Sequence, residues 1–197
     1  MWLGSSSTTV PSEVDMDGRE RLWNLSNKLT LFRIAAIPVV ALLLLSPERL
    51  PNFVAAALFL LAAITDSLDG YLARRRGTVT SLGKLLDPMA DKLLVVTALI
   101  FLLPLGRVPA WAVAVIVARE LAITTLRGIA ASQGVIIAAS ALGKVKNFFQ
   151  VASTNLLILH HPYFSIDVHR LGTYILWIAV LLTVISGIDY LRRYSRA

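Results

Sequence analysis

Four aspartates stand in two pairs near the middle of this 197-residue sequence. Asp66 and Asp69 are three residues apart, and Asp87 and Asp91 are four residues apart. At these spacings the members of each pair lie on one face of a helix. Gly, Thr and Ser lie between the pairs, so two antiparallel helices could turn back there and bring the carboxylates together. Such a cluster suits one or two hard divalent cations, which prefer oxygen ligands.

Apolar runs flank the aspartates on both sides. Residues 53–65 lead into Asp66, and residues 93–103 follow Asp91. A charged side chain at the centre of a membrane span costs about 2.5–3.5 kcal/mol, so a cluster of four indicates a function. The alternative is that neighbouring arginines and lysines neutralise the acids as solvated ion pairs. Ion pairs of that kind do not require two fixed helical spacings.

The composition is typical of an integral membrane protein with one domain. The chain is 56% hydrophobic and its mean hydropathy is +0.71, which is too apolar for an ordinary soluble domain. It contains no cysteine, which excludes disulfides, thiolate metal sites and a cysteine nucleophile. The polar residues 1–22 show no secretory signal pattern and are interpreted as a tail.

Six apolar runs follow that tail, within a domain from 23 to 197. They cover about 31–45, 53–65, 93–103, 108–118, 148–159 and 171–185. Most are shorter than the ~20 residues that a spanning helix needs, so they must continue into polar helical extensions. These extensions are 66–74, 82–92, 119–127 and a segment that begins near 144. The prediction is an all-α integral membrane protein with six transmembrane helices and a short N-terminal interfacial helix over 19–28.

The charges predict the orientation of these helices. If successive spans alternate in direction, all polar extensions reach one side, and prolines mark the other side: Pro47, Pro51, Pro104, Pro109 and Pro162. Of the 19 lysines and arginines, Arg49, Arg107 and Arg170 fall on the proline side. By the positive-inside rule the polar side is cytoplasmic, with both termini inside and a polar cavity at that interface. The net charge of +7 is therefore a topology signal and not a sign of nucleic-acid binding.

The aspartates belong to a longer motif. It reads Asp66-x2-Asp69-Gly70-x2-Ala73-Arg74-x8-Gly83-x3-Asp87-x3-Asp91. This motif matches at every position the signature of the CDP-alcohol phosphotransferase family, and the resemblance covers most of residues 23 to 197. The resemblance implies an enzyme that holds a CDP-linked donor, releases CMP and transfers the remaining substituted phosphate to an alcohol.

The resemblance also implies roles for single residues. Asp66, Asp69 and Asp87 would be metal ligands, and Asp91 would be both a ligand and the general base. Two Mg²⁺ ions would balance the four carboxylates, with Mn²⁺ as an alternative. The expected contacts of CDP-diacylglycerol are Asn27, Thr30, Asp66, Asp69, Gly70, Ala73, Arg74, Thr80 and Gly83. For Gly70 and Ala73, tight packing between helices is the alternative explanation.

Basic residues in spans four and five indicate an acceptor that carries phosphate. They are Arg119, Arg127, Lys144 and Lys146. Arginine binds phosphate bidentately, whereas anchoring at the cytoplasmic surface is the alternative role. The surrounding segments resemble the family branch that uses glycerol 3-phosphate. That resemblance implies transfer of the phosphatidyl group from CDP-diacylglycerol to sn-glycerol 3-phosphate, giving phosphatidylglycerophosphate and CMP.

Two alternatives remain open from the sequence. A sister member of the family would use another acceptor, such as inositol phosphate. A cation-coupled transporter would use the aspartates as ion sites, although the Asp-Gly-x-x-Ala-Arg spacing gives a transporter no benefit. The resemblance further implies a homodimer, and the topology predicts a multi-pass protein of the bacterial inner membrane.

Overall fold

Six helices make up the part of the protein that the computed structural model describes, namely residues 25–76, 81–133, 141–163 and 165–195. They are α1 (Leu25–Leu44), α2 (Arg49–Arg76), α3 (Ser81–Leu102), α4 (Ala110–Ser132), α5 (Ala141–Leu159) and α6 (Val168–Tyr194). Side chains are described except for 25–30, 66–76, 81–91 and 131. The all-helical prediction is confirmed within these ranges. The tail 1–22 and Thr80 lie outside them.

The helices continue beyond the apolar runs, as the sequence predicted. α2 passes from its apolar run through Asp69 to Arg76, and α3 begins at Ser81, well before the apolar residues that follow Asp91. The prediction of a separate interfacial helix over 19–28 differs from the structure in its second half. Residues 25–28 form the first turn of α1, because the sequence has no proline or glycine there to end a helix. Residues 19–24 of that prediction lie outside the described residues.

Length and apolar composition alone single out one described helix, α6, as able to cross a membrane. Shorter apolar stretches occupy Leu31–Leu44, Arg49–Thr65 and Lys92–Leu102. These stretches correspond to the first three predicted runs.

Contacts between α4 and α6 show that these two helices run parallel. The Trp111 and Trp177 rings lie near the beginning and the middle of their helices, with centroids 4.9 Å apart. Further along both helices, Arg119 Nη2 donates a hydrogen bond to Ser186 Oγ at 3.0 Å. The contacts therefore advance in the same direction along both helices. This agrees with the alternating order predicted from the sequence, in which spans four and six share one direction.

Contacts between α2 and α5 show the opposite relation. Asn52 in the first turn of α2 lies 3.3 Å from His161, just after the end of α5. One turn further along α2, the Ala56 carbonyl accepts a hydrogen bond of 2.7 Å from Asn155, which lies earlier in α5. The two helices are therefore antiparallel. Alanine contributes much of the core here, since Ala55, Ala56 and Ala62 are buried and let the helix backbones approach closely.

A buried arginine ties together the connections at the proline-marked end of the bundle. Arg107 is 6% exposed, and its Nη1 donates to Asn52 Oδ1 at 3.3 Å and to the Ile158 carbonyl at 3.1 Å. Burial lowers the pKa of this guanidinium. From the sequence, Arg107 is only a charge on that side. The structure gives it a packing role, since it joins the connection before α4 to α2 and α5.

The three histidines of the chain lie at the same end. His160 Nδ1 is 3.2 Å from His169 Nδ1, and the rings of His160 and His161 meet edge to face with centroids 5.6 Å apart. Burial, followed by the charge of Arg107, lowers the pKa of His160 to about 4. The His160 ring is therefore neutral at neutral pH and adds no second cation beside the buried arginine.

Gly172 is the position where α6 approaches α5 most tightly among the described glycines. A Cβ atom there would lie 3.0 Å from Leu156 Cβ and 3.2 Å from the Leu157 backbone nitrogen. We expect Gly172→Ala to lower the free energy of unfolding by about 1–3 kcal/mol, because the backbone must shift. Thermal unfolding in detergent measures the change.

Gly128→Ala is the matched control for this substitution. It makes the same chemical change within α4, but no atom lies within 4 Å of the added Cβ. Alanine there should leave stability unchanged or raise it by up to about 1 kcal/mol through helix propensity. Equal effects of the two substitutions would contradict the packing argument.

Candidate active site

The two aspartate pairs lie inside neighbouring helices. Asp66 and Asp69 belong to α2, and Asp87 and Asp91 belong to α3, so each pair shares a helical face. The two helices pack against each other and are joined by only four residues, 77–80, a length typical of antiparallel neighbours. The carboxylates themselves are outside the described side chains. Their convergence on a common point therefore stays a prediction.

The predicted donor contacts are spread over three helices that pack together. α1 packs against both α2 and α3. Asn27 and Thr30 belong to α1; Gly70, Ala73 and Arg74 belong to α2; Gly83 belongs to α3. The three helices that carry these residues are therefore neighbours in the bundle. The side-chain contacts of these residues, and Thr80 altogether, lie outside the described part.

One carboxylate collects basic side chains from three different helices. Glu120 of α4 accepts a hydrogen bond from Lys146 of α5 through Oε1, and the same oxygen lies 3.2 Å from Arg119 Nη1. Lys92 of α3 lies with its Nζ 4.0 Å from Glu120 Oε2, and it donates to Thr124 Oγ1. We refer to Lys92, Arg119, Glu120 and Lys146 as the basic cluster. It joins three helices at one point.

The Arg119 guanidinium is fixed from a fourth helix as well. Besides Glu120, it donates through Nη2 to Ser186 Oγ of α6, a hydroxyl that is fully buried. Gly187 of α6 also packs beside this side chain, since a Cβ there would lie 3.4 Å from Arg119 Cγ, an ordinary van der Waals contact. The side chain of Arg119 is only 14% exposed. An arginine held in this way keeps a fixed orientation, which is what bidentate binding of phosphate requires.

The two lysines at the start of α5 face in different directions. Lys146 is 3% exposed and points into the basic cluster, whereas Lys144 is exposed. This agrees with the expectation that residues two apart cannot share a helical face. Of the two predicted phosphate contacts, the structure places only Lys146 among the basic cluster. Lys144 is available for membrane headgroups or solvent.

Arg127 lies two turns after Arg119 and also contacts α6. Its guanidinium carbon is 5.4 Å from the centre of the Tyr190 ring, within the range of a cation–π contact. The Tyr190 side chain is buried, and its hydroxyl has no hydrogen-bond partner among the described residues. Arg127 itself is exposed. It therefore lies on the same α6 side as Arg119, but outside the basic cluster.

Sequence reasoning missed the two residues that organise this site. Neither Glu120 nor Ser186 was among the residues predicted from the sequence. A signal for Glu120 was present, because it is the only acid within the sequence of α4, and a buried acid needs a charged partner nearby. No sequence signal could have told which of the many basic residues that partner was.

Comparison with known proteins places this arrangement in a family. The family model described as CDP-alcohol phosphatidyltransferase matches residues 23–185. The chain belongs to that family. The match spans all residues of the aspartate motif and of the basic cluster, so both belong to the region that defines a CDP-alcohol phosphatidyltransferase.

Similar proteins come from several bacteria. The protein named CDP-diacylglycerol–glycerol-3-phosphate 3-phosphatidyltransferase in Bacillus subtilis is 42% identical, with 86% of this chain and 94% of the relative covered. A protein of the same name in Rickettsia bellii is 43% identical, again over 86% of this chain and 94% of the relative. The probable phosphatidylglycerophosphate synthase of Mycobacterium tuberculosis is 41% identical over 94% and 88%. This CDP-alcohol phosphatidyltransferase thus matches those relatives over nearly their full length.

Proposed function

We propose that the protein transfers the phosphatidyl group of CDP-diacylglycerol to sn-glycerol 3-phosphate, giving phosphatidylglycerophosphate and CMP. The names of the similar bacterial proteins support both substrates. The observation within this chain that carries the proposal is the basic cluster. Three cations surround one carboxylate there, which leaves an excess of positive charge suited to a phosphate-bearing acceptor.

We further propose that the four aspartates hold two Mg²⁺ ions, with Mn²⁺ as the alternative. The donor set fits such ions, because two packed helices each carry two carboxylates at helical spacing. Asp66, Asp69, Asp87 and Asp91 would be the ligands. Bound there, the ions supply stabilisation of the negative charge on the diphosphate and on the departing CMP.

The protein's own residues would then position the acceptor and move its proton. Arg119 and Lys146 bind the phosphate of glycerol 3-phosphate, and Asp91 accepts the proton of the attacking hydroxyl. The hydroxyl oxygen forms a bond to the phosphorus of the phosphatidyl group. The bond from that phosphorus to the CMP oxygen breaks, and CMP leaves with the electron pair.

The surface of the bundle supports membrane embedding. Large apolar side chains are exposed on the outer faces of its helices, among them Leu42 (67%), Phe148 (69%) and Leu181 (60%), while Arg33 and Lys146 are buried. Apolar side chains outside and charged groups inside are the arrangement expected in lipid. We therefore propose six spans with a polar cavity and both termini on the cytoplasmic side of a bacterial inner membrane. A homodimer is proposed from the family resemblance alone.

Release of CMP from CDP-diacylglycerol in the presence of different acceptors tests the proposal. The purified protein would be assayed in detergent with glycerol 3-phosphate, with inositol phosphate and without an acceptor. We expect label from glycerol 3-phosphate to appear in lipid together with stoichiometric CMP. Label from inositol phosphate alone would assign the protein to the sister activity. No CMP with any acceptor, together with cation flux in proteoliposomes, would favour a transporter.

Replacing Arg127 tests the outer part of the acceptor site. We expect Arg127→Ala to raise the KM of glycerol 3-phosphate about tenfold and to leave the KM of CDP-diacylglycerol within about twofold, because one phosphate-binding charge is lost. Steady-state kinetics with each substrate varied in turn measures both constants. Lys144→Ala is the matched control, since Lys144 is likewise an exposed cation outside the basic cluster but belongs to α5 and not to the helix that carries Arg119. An unchanged acceptor KM in Arg127→Ala would indicate that Arg127 anchors the helix at the membrane surface and does not bind the acceptor.

A further inference from the structure

Glu120 is the one residue that all three cations of the basic cluster share. Lys146 and Arg119 approach its Oε1, and Lys92 approaches its Oε2. The carboxylate is 12% exposed, and the Lys146 side chain is 4% exposed. The three cations come from three different helices: Lys92 from α3, Arg119 from α4 and Lys146 from α5. Through these contacts Glu120 links α3, α4 and α5.

We propose that Glu120 is a positioning residue that holds Lys92, Arg119 and Lys146 as a preformed binding group for the phosphate dianion of the acceptor. This inference rests on the proposed function and names the residue that organises its acceptor site. Glu120 would not touch the reacting atoms. It would act through the cations that it orients, and Ser186 would assist by fixing the far side of Arg119.

Charge balance supports a phosphate as the occupant. Among the described side chains that meet at Glu120, three carry a positive charge and one carries a negative charge. A phosphate monoester carries about −1.5 to −2 at pH 7, so its binding would bring the group close to neutrality. A neutral hydroxyl compound would leave the excess positive charge uncompensated in a half-buried site, at a cost in free energy. The cluster therefore favours acceptors that carry a phosphate.

The contact with Lys92 connects this group to the aspartate helix. Lys92 directly follows Asp91 in α3, and its ammonium group reaches Thr124 and Glu120 on α4. Thr124 is held in turn by a 2.6 Å hydrogen bond to the Glu120 carbonyl. A phosphate bound at the basic cluster would therefore lie at a fixed distance from the residue proposed as general base. That distance would determine which hydroxyl of the acceptor reaches the donor.

Glu120 could either position the cations or compete with the acceptor phosphate for them. The direction in which Glu120→Gln changes the acceptor KM distinguishes these two roles. If Glu120 only occupied the cations until phosphate arrived, its neutralisation would strengthen phosphate binding and lower the acceptor KM. If it positions them, Arg119 and Lys146 lose the negative charge between them and repel each other, the buried Lys146 loses its only described carboxylate partner, and the binding group disperses. The proposal requires the second outcome.

The experiment compares Glu120→Gln with the wild-type protein and with Glu48→Gln. Glu48 is an exposed acid in the connection between α1 and α2, so the control makes the same chemical change outside the site. We expect Glu120→Gln to raise the KM of glycerol 3-phosphate roughly 10- to 100-fold while kcat at saturation and the KM of CDP-diacylglycerol change less than about threefold. The inhibition constant of inorganic phosphate should rise by a similar factor. Glu48→Gln should match the wild type in all four constants.

The outcomes distinguish this inference from the proposed function. A wild-type protein that does not use glycerol 3-phosphate overturns the proposed function. An active wild type with an unchanged or lowered acceptor KM in Glu120→Gln overturns only the positioning role. If Glu120→Gln is not monodisperse in detergent, Ser186→Ala decides instead, because it removes one hydrogen bond from Arg119 without changing a charge. There too a raised acceptor KM supports the proposal and an unchanged one contradicts it.

Discussion

Asp91→Asn is expected to reduce the rate of CMP release about 10²- to 10⁴-fold, the range by which a positioned general base accelerates a reaction. Asparagine keeps the size of the side chain and one oxygen, but it cannot take up the proton of the acceptor hydroxyl. Asp91 lies in α3, one turn beyond Asp87 and next to Lys92 of the basic cluster. The expected signature is a large loss of kcat with CDP-diacylglycerol binding partly retained, measured by CMP release and by donor titration.

Asp167→Asn is the matched control for that substitution. Asp167 caps the N-terminus of α6 by accepting a hydrogen bond of 3.0 Å from the Arg170 backbone nitrogen. Asparagine caps helices about as well as aspartate, and the exposed ion pair with Arg170 contributes little. The control should therefore retain wild-type kinetics. An Asp91→Asn protein as active as this control would remove the base role from Asp91.

Removal of divalent cations with EDTA is expected to abolish the reaction, lowering the rate by at least about 10³-fold, because electrostatic stabilisation is the main contribution to phosphoryl transfer. Added Mg²⁺ should restore the full rate. EDTA saturated with Mg²⁺ beforehand is the control for effects of the chelator itself. Full activity after complete chelation would contradict the assignment of the four aspartates as metal ligands.

A binding measurement tests the same ligands without relying on turnover. Mg²⁺ should raise the thermal unfolding midpoint of the wild-type protein, since a ligand that binds only the folded state stabilises it. Asp87→Asn should reduce this shift strongly, whereas Asp167→Asn should not. An equal shift in both variants would show that the ions bind elsewhere.

The two helices that carry the aspartates, α2 and α3, could be predicted from the sequence. Spacings of three and four residues are meaningful only on a helix, and both pairs do lie inside helices. Apolar runs too short to span a membrane predicted that α2 and α3 continue into their charged ends, and they do. Helix formation is a local property, so composition and spacing suffice to predict it.

The partners of the charges could not be predicted in the same way. Arg119 and Arg127 were both predicted as acceptor contacts, and the structure gives them different neighbours: Arg119 lies between Glu120 and Ser186, and Arg127 lies against the ring of Tyr190. The sequence placed Arg107 on the proline-marked side, but it did not predict that this side chain is buried against Asn52. These contacts join residues far apart in the chain. They depend on which helix faces overlap.

The sequence by itself determined the helices, their alternating directions, the aspartate motif and the family. These follow from local spacing, hydropathy and a run of specified residues in fixed register. Only the tertiary structure decided that Lys92, Arg119 and Lys146 meet at Glu120, because their meeting depends on the rotation and depth of three packed helices. Rotation and depth are set by the fit of side chains such as those around Gly172, which no single stretch of sequence encodes.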